Sequence, residues 1–148
     1  MNTALHFSSK RDDWATPPEV FDPLHAEFGF TLDAAAAYDN AKCVRFYHDA
    51  LTVDWPANDV IWCNPPYSGG LQKHFIRKAA ECAIRGGHVV MLLPARTDTR
   101  VFHRWIWDTV DHRPLPWVRE VRFLKGRIKF VGAEHGAPFP SMVVVFGR

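Results

Sequence analysis

Metal-ligand spacing is missing from this chain. Its three cysteines, Cys43, Cys63 and Cys82, are odd in number and widely separated, no Cys-x-x-Cys pair occurs, and the eight histidines follow no ligand pattern. No zinc site, and no metal of any kind, is expected from such a set. The histidines are given no catalytic part. Free thiols imply a reducing compartment. Cys63 lies inside an apolar segment and reads as a small buried hydrophobe. Long apolar runs are missing too. No stretch of roughly eighteen apolar residues exists, so no membrane span is expected. Residues 1–13 lack the apolar core of a signal peptide, and a cytoplasmic location is the expectation. A dominant charge sign is also lacking. The 18 basic and 16 acidic residues leave a formal net charge of +2, which neither demands nor excludes nucleic acid. There is no internal repeat and no low-complexity tract.

What is present is apolar and aromatic. Of the 148 residues 47% are hydrophobic, with six Trp and eleven Phe, enough for the core of one domain. Residues 1–13 read as a flexible N-terminal arm and residues 14–148 as the folded domain, with no room for a large recognition domain. Thr16 reads as a helix N-cap, Pro17 as the first helical residue and Glu19 as the capping-box partner. That helix should reach residue 25 or 27, with Pro23 inside it and Gly29 ending it. Strands are expected at 30–33, near 44–47, and at 60–63. A helix over 71–84 would bury Phe75, Ile76, Ala79, Ala80 and Ala83. Residues 88–93 form an almost unbroken apolar run, as in a central strand covered on both faces, and Pro94 stops it. A helix over 99–110, a hairpin of 119–124 with 127–131 around Lys125-Gly126, and a last buried strand at 141–146 complete the reading. The alternation predicts an α/β domain with a three-layer sheet and a C-terminal β-hairpin. Ligands should then bind at the carboxyl ends of the strands, where Asp33, Asn64 and Pro94-Ala95-Arg96 lie.

The most informative segment is Asn64-Pro65-Pro66-Tyr67, directly after the strand Val60-Ile61-Trp62-Cys63. Two prolines have no N–H and a fixed φ, so they stop a sheet ladder abruptly. Asn64 adds a side-chain carbonyl acceptor and Tyr67 a flat ring with a polar tip. Acceptors beside a stacking platform suit a planar ring bearing an amino group, as in a nucleobase. The tetrapeptide resembles motif IV of the S-adenosylmethionine-dependent amino-methyltransferases, which act on adenine N6, cytosine N4 or the glutamine side chain. The resemblance then widens. Asp13-Trp14-Ala15-Thr16-Pro17, Phe30-Thr31-Leu32-Asp33-Ala34-Ala35 and Trp62 to Ser68 come first. Leu93 to Thr99, Lys125-Gly126-Arg127-Ile128-Lys129-Phe130 and Ala137-Pro138-Phe139-Pro140-Ser141-Met142 follow. In that order they resemble the small phage-type, Dam-like DNA adenine-N6-methyltransferases, over nearly the whole chain.

That resemblance implies a Rossmann-like domain, S-adenosylmethionine as cofactor and DNA as partner, in a phage or prophage protein of a bacterial host cell. It assigns the catalytic site to Asn64, Pro65, Pro66 and Tyr67. It assigns cofactor binding to Trp14, Thr16, Asp33, Ala34, Ala35 and Asp54, with Asp49 a rival of Asp54 for the adenosine half. Ala34 and Ala35 stand where such methyltransferases usually carry glycines. Arg96, Thr97 and Asp98 read either as cleft residues or, for Thr97 or Asp98, as the cap of the next helix. Arg100, Arg104, Arg113, Arg119, Arg122, Lys125, Arg127 and Lys129 suit contacts to a nucleic-acid backbone. The expected activity is direct methyl transfer to the N6 of a flipped adenine. N4-cytosine methylation, protein-glutamine methylation and an inactive DNA-binding relic are the alternatives.

Overall fold

The computed structural model describes residues 15–36, 41–47, 49–67 and 70–147. The expected arm 1–13, Trp14 and Ser68 lie outside the described residues. The architecture is mixed α/β, built on a five-stranded sheet. Helix α1 spans Pro18–Phe28, strand β1 Leu32–Asp33, β2 Val60–Cys63, helix α2 Gln72–Ile84 and β3 His88–Pro94. Helix α3 covers Arg100–Trp105, and the short strands β4 (Trp107–Asp108) and β5 (Arg113–Pro114) pair as a small ribbon. Strands β6 (Val118–Phe123) and β7 (Ser141–Phe146) close the chain. The sheet order is β1-β2-β3-β7-β6, with β1, β2 and β3 parallel and β7 antiparallel to both β3 and β6.

Side chains on a strand alternate between faces, and here both faces are buried. Ile61, Cys63, Val89, Met91, Leu93, Val144 and Phe146 pack with Phe75, Ile76, Ala79 and Ala83 of α2 and Phe102 of α3. Trp62, Val90, Leu92, Val143 and Val145 pack with Phe21 and Leu24 of α1 and with Ile128 and Phe130. Phe21 meets the Trp62 ring edge-on at 5.3 Å, so aromatic contact docks α1 onto β2.

Several expectations change in three dimensions. Thr16 does not cap α1. The N-cap is Pro17, no side chain bonds there, and the Thr16 hydroxyl is used elsewhere. Gly29 ends α1 with φ 67°, a left-handed conformation suited to a residue without Cβ. The strand expected at 30–33 contracts to Leu32–Asp33, and that at 44–47 to a single parallel bridge between Asp33 and Phe46. The helix expected over 99–110 stops at Trp105. Asp108 Oδ1 accepts the N–H groups of Val110 and Asp111, giving the backbone a turn in place of a helical ladder. Thr99, not Thr97 or Asp98, caps α3, accepting the Phe102 N–H at 3.3 Å. The C-terminal hairpin pairs β6 with β7 rather than with 127–131. All six residues of β7 are buried, and such a strand needs a neighbour on each side. Residues 127–131 instead run over the α1 face, tied by a bridge between Val131 and Ala15.

Candidate active site

Because β1, β2 and β3 are parallel, their carboxyl ends open on one edge of the sheet. Antiparallel β7 starts at the same edge. Ser141 pairs with Pro94, and the Ala95 N–H donates to the Pro140 carbonyl at 2.8 Å. Residues far apart in sequence therefore meet here.

Asn64 directly follows β2, and its amide is held at both ends. Nδ2 donates to Thr16 Oγ1 at 3.0 Å, and Oδ1 accepts the Tyr67 hydroxyl at 2.6 Å. A donor on one side and an acceptor on the other define which way the amide faces. Thr16 is 2% exposed, so this contact is shielded from water. The Tyr67 ring is clasped edge-to-face by Phe130, with centroids 5.7 Å apart, and by Phe139 at 5.4 Å. Burial, with a smaller contribution from nearby Cys63, pushes the Tyr67 phenol pKa far up. Its hydroxyl thus stays a donor at neutral pH. Arg96 lies over the Phe139 ring at 5.8 Å.

A pocket of about 230 Å³ opens beside Tyr67 and is also lined by Gly70, Gln72, Leu93, Arg96 and Thr99. Gln72 Nε2 is buried without a hydrogen-bond partner. A buried donor left unpaired is costly and calls for a reason.

Asp33 is 2% exposed at the end of β1. Its Oδ1 accepts the Ala35 N–H at 3.1 Å and its Oδ2 the Lys42 N–H at 2.9 Å. Burial raises its pKa, and those N–H groups partly oppose the rise. Asp33 thus clasps the loop that follows β1. Ala34 is fully buried, its N–H donating to the Trp62 carbonyl at 2.9 Å, while Ala35 and Ala36 are half-buried. Asp54 is not brought to this edge. It is exposed between Val53, whose carbonyl accepts Lys78 Nζ, and Trp55, whose carbonyl accepts from Arg85, beside the far half of α2. Asp49 lies nearer, two residues past Tyr47, which exchanges backbone bonds with Asp33 and Ala36.

The model of the family described as DNA N-6-adenine-methyltransferase (Dam) matches residues 4–145. The chain belongs to this family. A relative from Escherichia phage T1, named DNA N-6-adenine-methyltransferase, is 40% identical over 96 residues, covering 62% of this chain and 40% of the relative. The chain thus spans well under half the length of that phage protein. The sequence blocks that carry the Dam resemblance converge at one edge: Thr16 on Asn64, Asp33 beside β2, and Phe130, Phe139 and Arg96 around Tyr67. The roles of Phe130 and Phe139 as a ring clasp were not read from sequence. Both rings nevertheless stand in blocks that carry the resemblance, and Phe139 lies between Pro138 and Pro140, just before the last strand. Among the described residues no helix is long and apolar enough to cross a membrane, and no group of three or more His, Cys, Asp or Glu is placed to hold a metal.

Proposed function

We propose that the chain is an S-adenosylmethionine-dependent DNA methyltransferase that methylates the N6 of an adenine flipped from the duplex, on a Rossmann-like three-layer domain. One observation carries the reading: in a Dam-family chain, the Asn64 amide sits at the carboxyl end of β2, held between Thr16 and Tyr67.

The chemistry accounts for the residue types. An exocyclic amine is a poor nucleophile because its lone pair is delocalised into the ring. Asn64 Oδ1, which has two lone pairs, accepts one amine hydrogen while still bonding Tyr67. The Pro65 carbonyl accepts the other. Both contacts favour a tetrahedral nitrogen whose lone pair points out of the ring plane, toward the methyl donor. S-adenosylmethionine, when bound, supplies that methyl on a sulfonium. The donor side fits the loop after β1: Ala35 and Ala36 have only methyl side chains, Asp33 accepts the Ala35 N–H, and the Ala36 N–H donates to the Tyr47 carbonyl. Thr16 serves the site through Asn64 rather than through the cofactor. Pro66 stiffens the turn, and Tyr67 stacks on the flipped base from the pocket side. That pocket is smaller than the roughly 300 Å³ of a whole-ligand site and suits a fragment such as one base.

Incubation with S-adenosylmethionine and DNA, followed by nucleoside mass spectrometry, tests the reading. N6-methyladenine is the expected product. N4-methylcytosine, or label found only on protein, would overturn it. Asn64→Ala should lower turnover by about 10²–10³, whereas Asn64→Asp, which still accepts hydrogen bonds, should keep substantial activity.

A further inference from the structure

Eight cations lie between Arg100 and Lys129. Arg100 and Arg119 are exposed and make no ion pair among the described residues, and the other six differ in their surroundings. Arg122 makes two bonds to Glu27, at 2.7 and 2.6 Å, and also bonds Glu120. Arg113 pairs with Asp111, and Arg104 lies over the Trp105 ring at 3.9 Å. Lys125, Arg127 and Lys129 are exposed and have no acidic partner among the described residues.

These three line one groove of about 530 Å³ with an apolar floor that includes Leu24, Ile128 and Val143; Glu19 is the acid on its wall. The segment that carries them has two faces. Arg127, Lys129 and Val131 are exposed, whereas Ile128 and Phe130 are buried. The inner Phe130 ring touches Tyr67. The Val131 N–H donates to the Ala15 carbonyl, beside the Thr16 that holds Asn64, and the Ala137 N–H donates to the Ile128 carbonyl. One anchored ribbon therefore supports the site on its inside and carries unpaired positive charge on its outside. Arg127 and Lys129 are about 7 Å apart along the extended chain, within reach of successive phosphates.

We propose that Lys125, Arg127 and Lys129 form a phosphate track for the DNA duplex that flanks the target base. This deepens the reading of the chain as a DNA methyltransferase and rests on it. The track fixes the duplex in register with Asn64 and takes no part in the chemistry.

The test is binding of a fluorescent duplex at several salt concentrations, with wild type and the triple variant Lys125→Gln/Arg127→Gln/Lys129→Gln. The variant should bind at least about tenfold more weakly at low salt, and its slope of log K against log salt should shrink by about 2 to 3. KM for DNA should rise, with kcat at saturating DNA, cofactor Kd and melting temperature unchanged. Arg113→Gln, whose charge is already paired, should change neither affinity nor slope. An unchanged slope in the triple variant, or an equal loss in Arg113→Gln, overturns the track. Loss of cofactor affinity overturns it too, because the groove would then serve the cofactor. The two readings fail separately. A wild type that binds duplex with the expected slope difference but transfers no methyl group sinks the proposed activity alone. One that methylates adenine with no slope difference sinks the track alone.

Discussion

A single amide decides the chemistry assigned to the sheet edge, because its two ends have opposite character. Asn64 is useful to an amine only with its oxygen turned to the substrate. Thr16 accepts from Nδ2 and Tyr67 donates to Oδ1, so both contacts favour one orientation. Thr16→Val keeps the shape and removes the acceptor. It should lower kcat by about tenfold, near one lost hydrogen bond, with little change in cofactor Kd, and Thr16→Ser should restore most of the rate. In an Asn64→Ala background the Thr16→Val loss should vanish, since no amide remains to be oriented. An equal loss in both backgrounds, tracking melting temperature, would make Thr16 a packing residue. Tyr67→Phe keeps the ring that Phe130 and Phe139 clasp and should stay within about tenfold of wild type. Tyr67→Ala should fail mainly on duplex DNA and less on a mismatched or single-stranded adenine, whose unstacking cost is already partly met. The tetrapeptide was legible in the sequence because strand, prolines and ring are consecutive. The Thr16 role was not, because a Thr before Pro-Pro-Glu satisfies a capping pattern equally well, and its true partner is 48 residues away.

Elements formed where local signals and tertiary demand agreed. β2, α2 and β7 follow from runs of apolar residues at strand or helix period, and all three sit where the pattern put them. The pairing partner of β6 was not legible. Residues 127–131 alternate like a strand, but the alternation serves as a cover over α1, with Ile128 and Phe130 inward. The loop after β1 was read as a degenerate cofactor loop, and its clasp by Asp33 emerged only from the fold. Asn in place of Asp offers one carbonyl oxygen and an NH₂ group, so either the Ala35 or the Lys42 N–H would lose its acceptor. Asp33→Asn should therefore destabilise by about 1–3 kcal/mol and weaken cofactor binding, although it removes a buried charge. Urea denaturation measures this. A more stable Asp33→Asn would mean that the desolvation of the carboxylate outweighs the clasp.

The whole molecule buries both faces of its sheet, and this enclosure reaches the titratable groups as well as the apolar ones. Burial raises the pKa of Cys63 well above the ordinary 9.0, raises that of Cys82, and lifts Cys43 to about 11; Tyr67 rises from 10.0. All four hold their protons longer folded than unfolded. Between the unfolded and folded pKa values the unfolded chain binds fewer protons, so stability must fall as pH rises. The contribution is intact below about pH 8 and is lost progressively as pH climbs from the thiol range into the phenol range. Each fully buried group adds a slope of up to about 1.4 kcal/mol per pH unit. Urea midpoints should therefore be level in this respect from pH 7 to 8 and decline beyond pH 9. Cys63→Ala should start less stable, from the small cavity it leaves, but decline less steeply from pH 9. Tyr67→Phe should flatten the curve only above pH 10. The two variants thus separate the thiol from the phenol by where each departs from wild type. A wild-type curve that stays flat to pH 10.5, or variants whose slopes match it throughout, would show that these groups meet water in the native state and that the edge around Asn64 is open rather than enclosed.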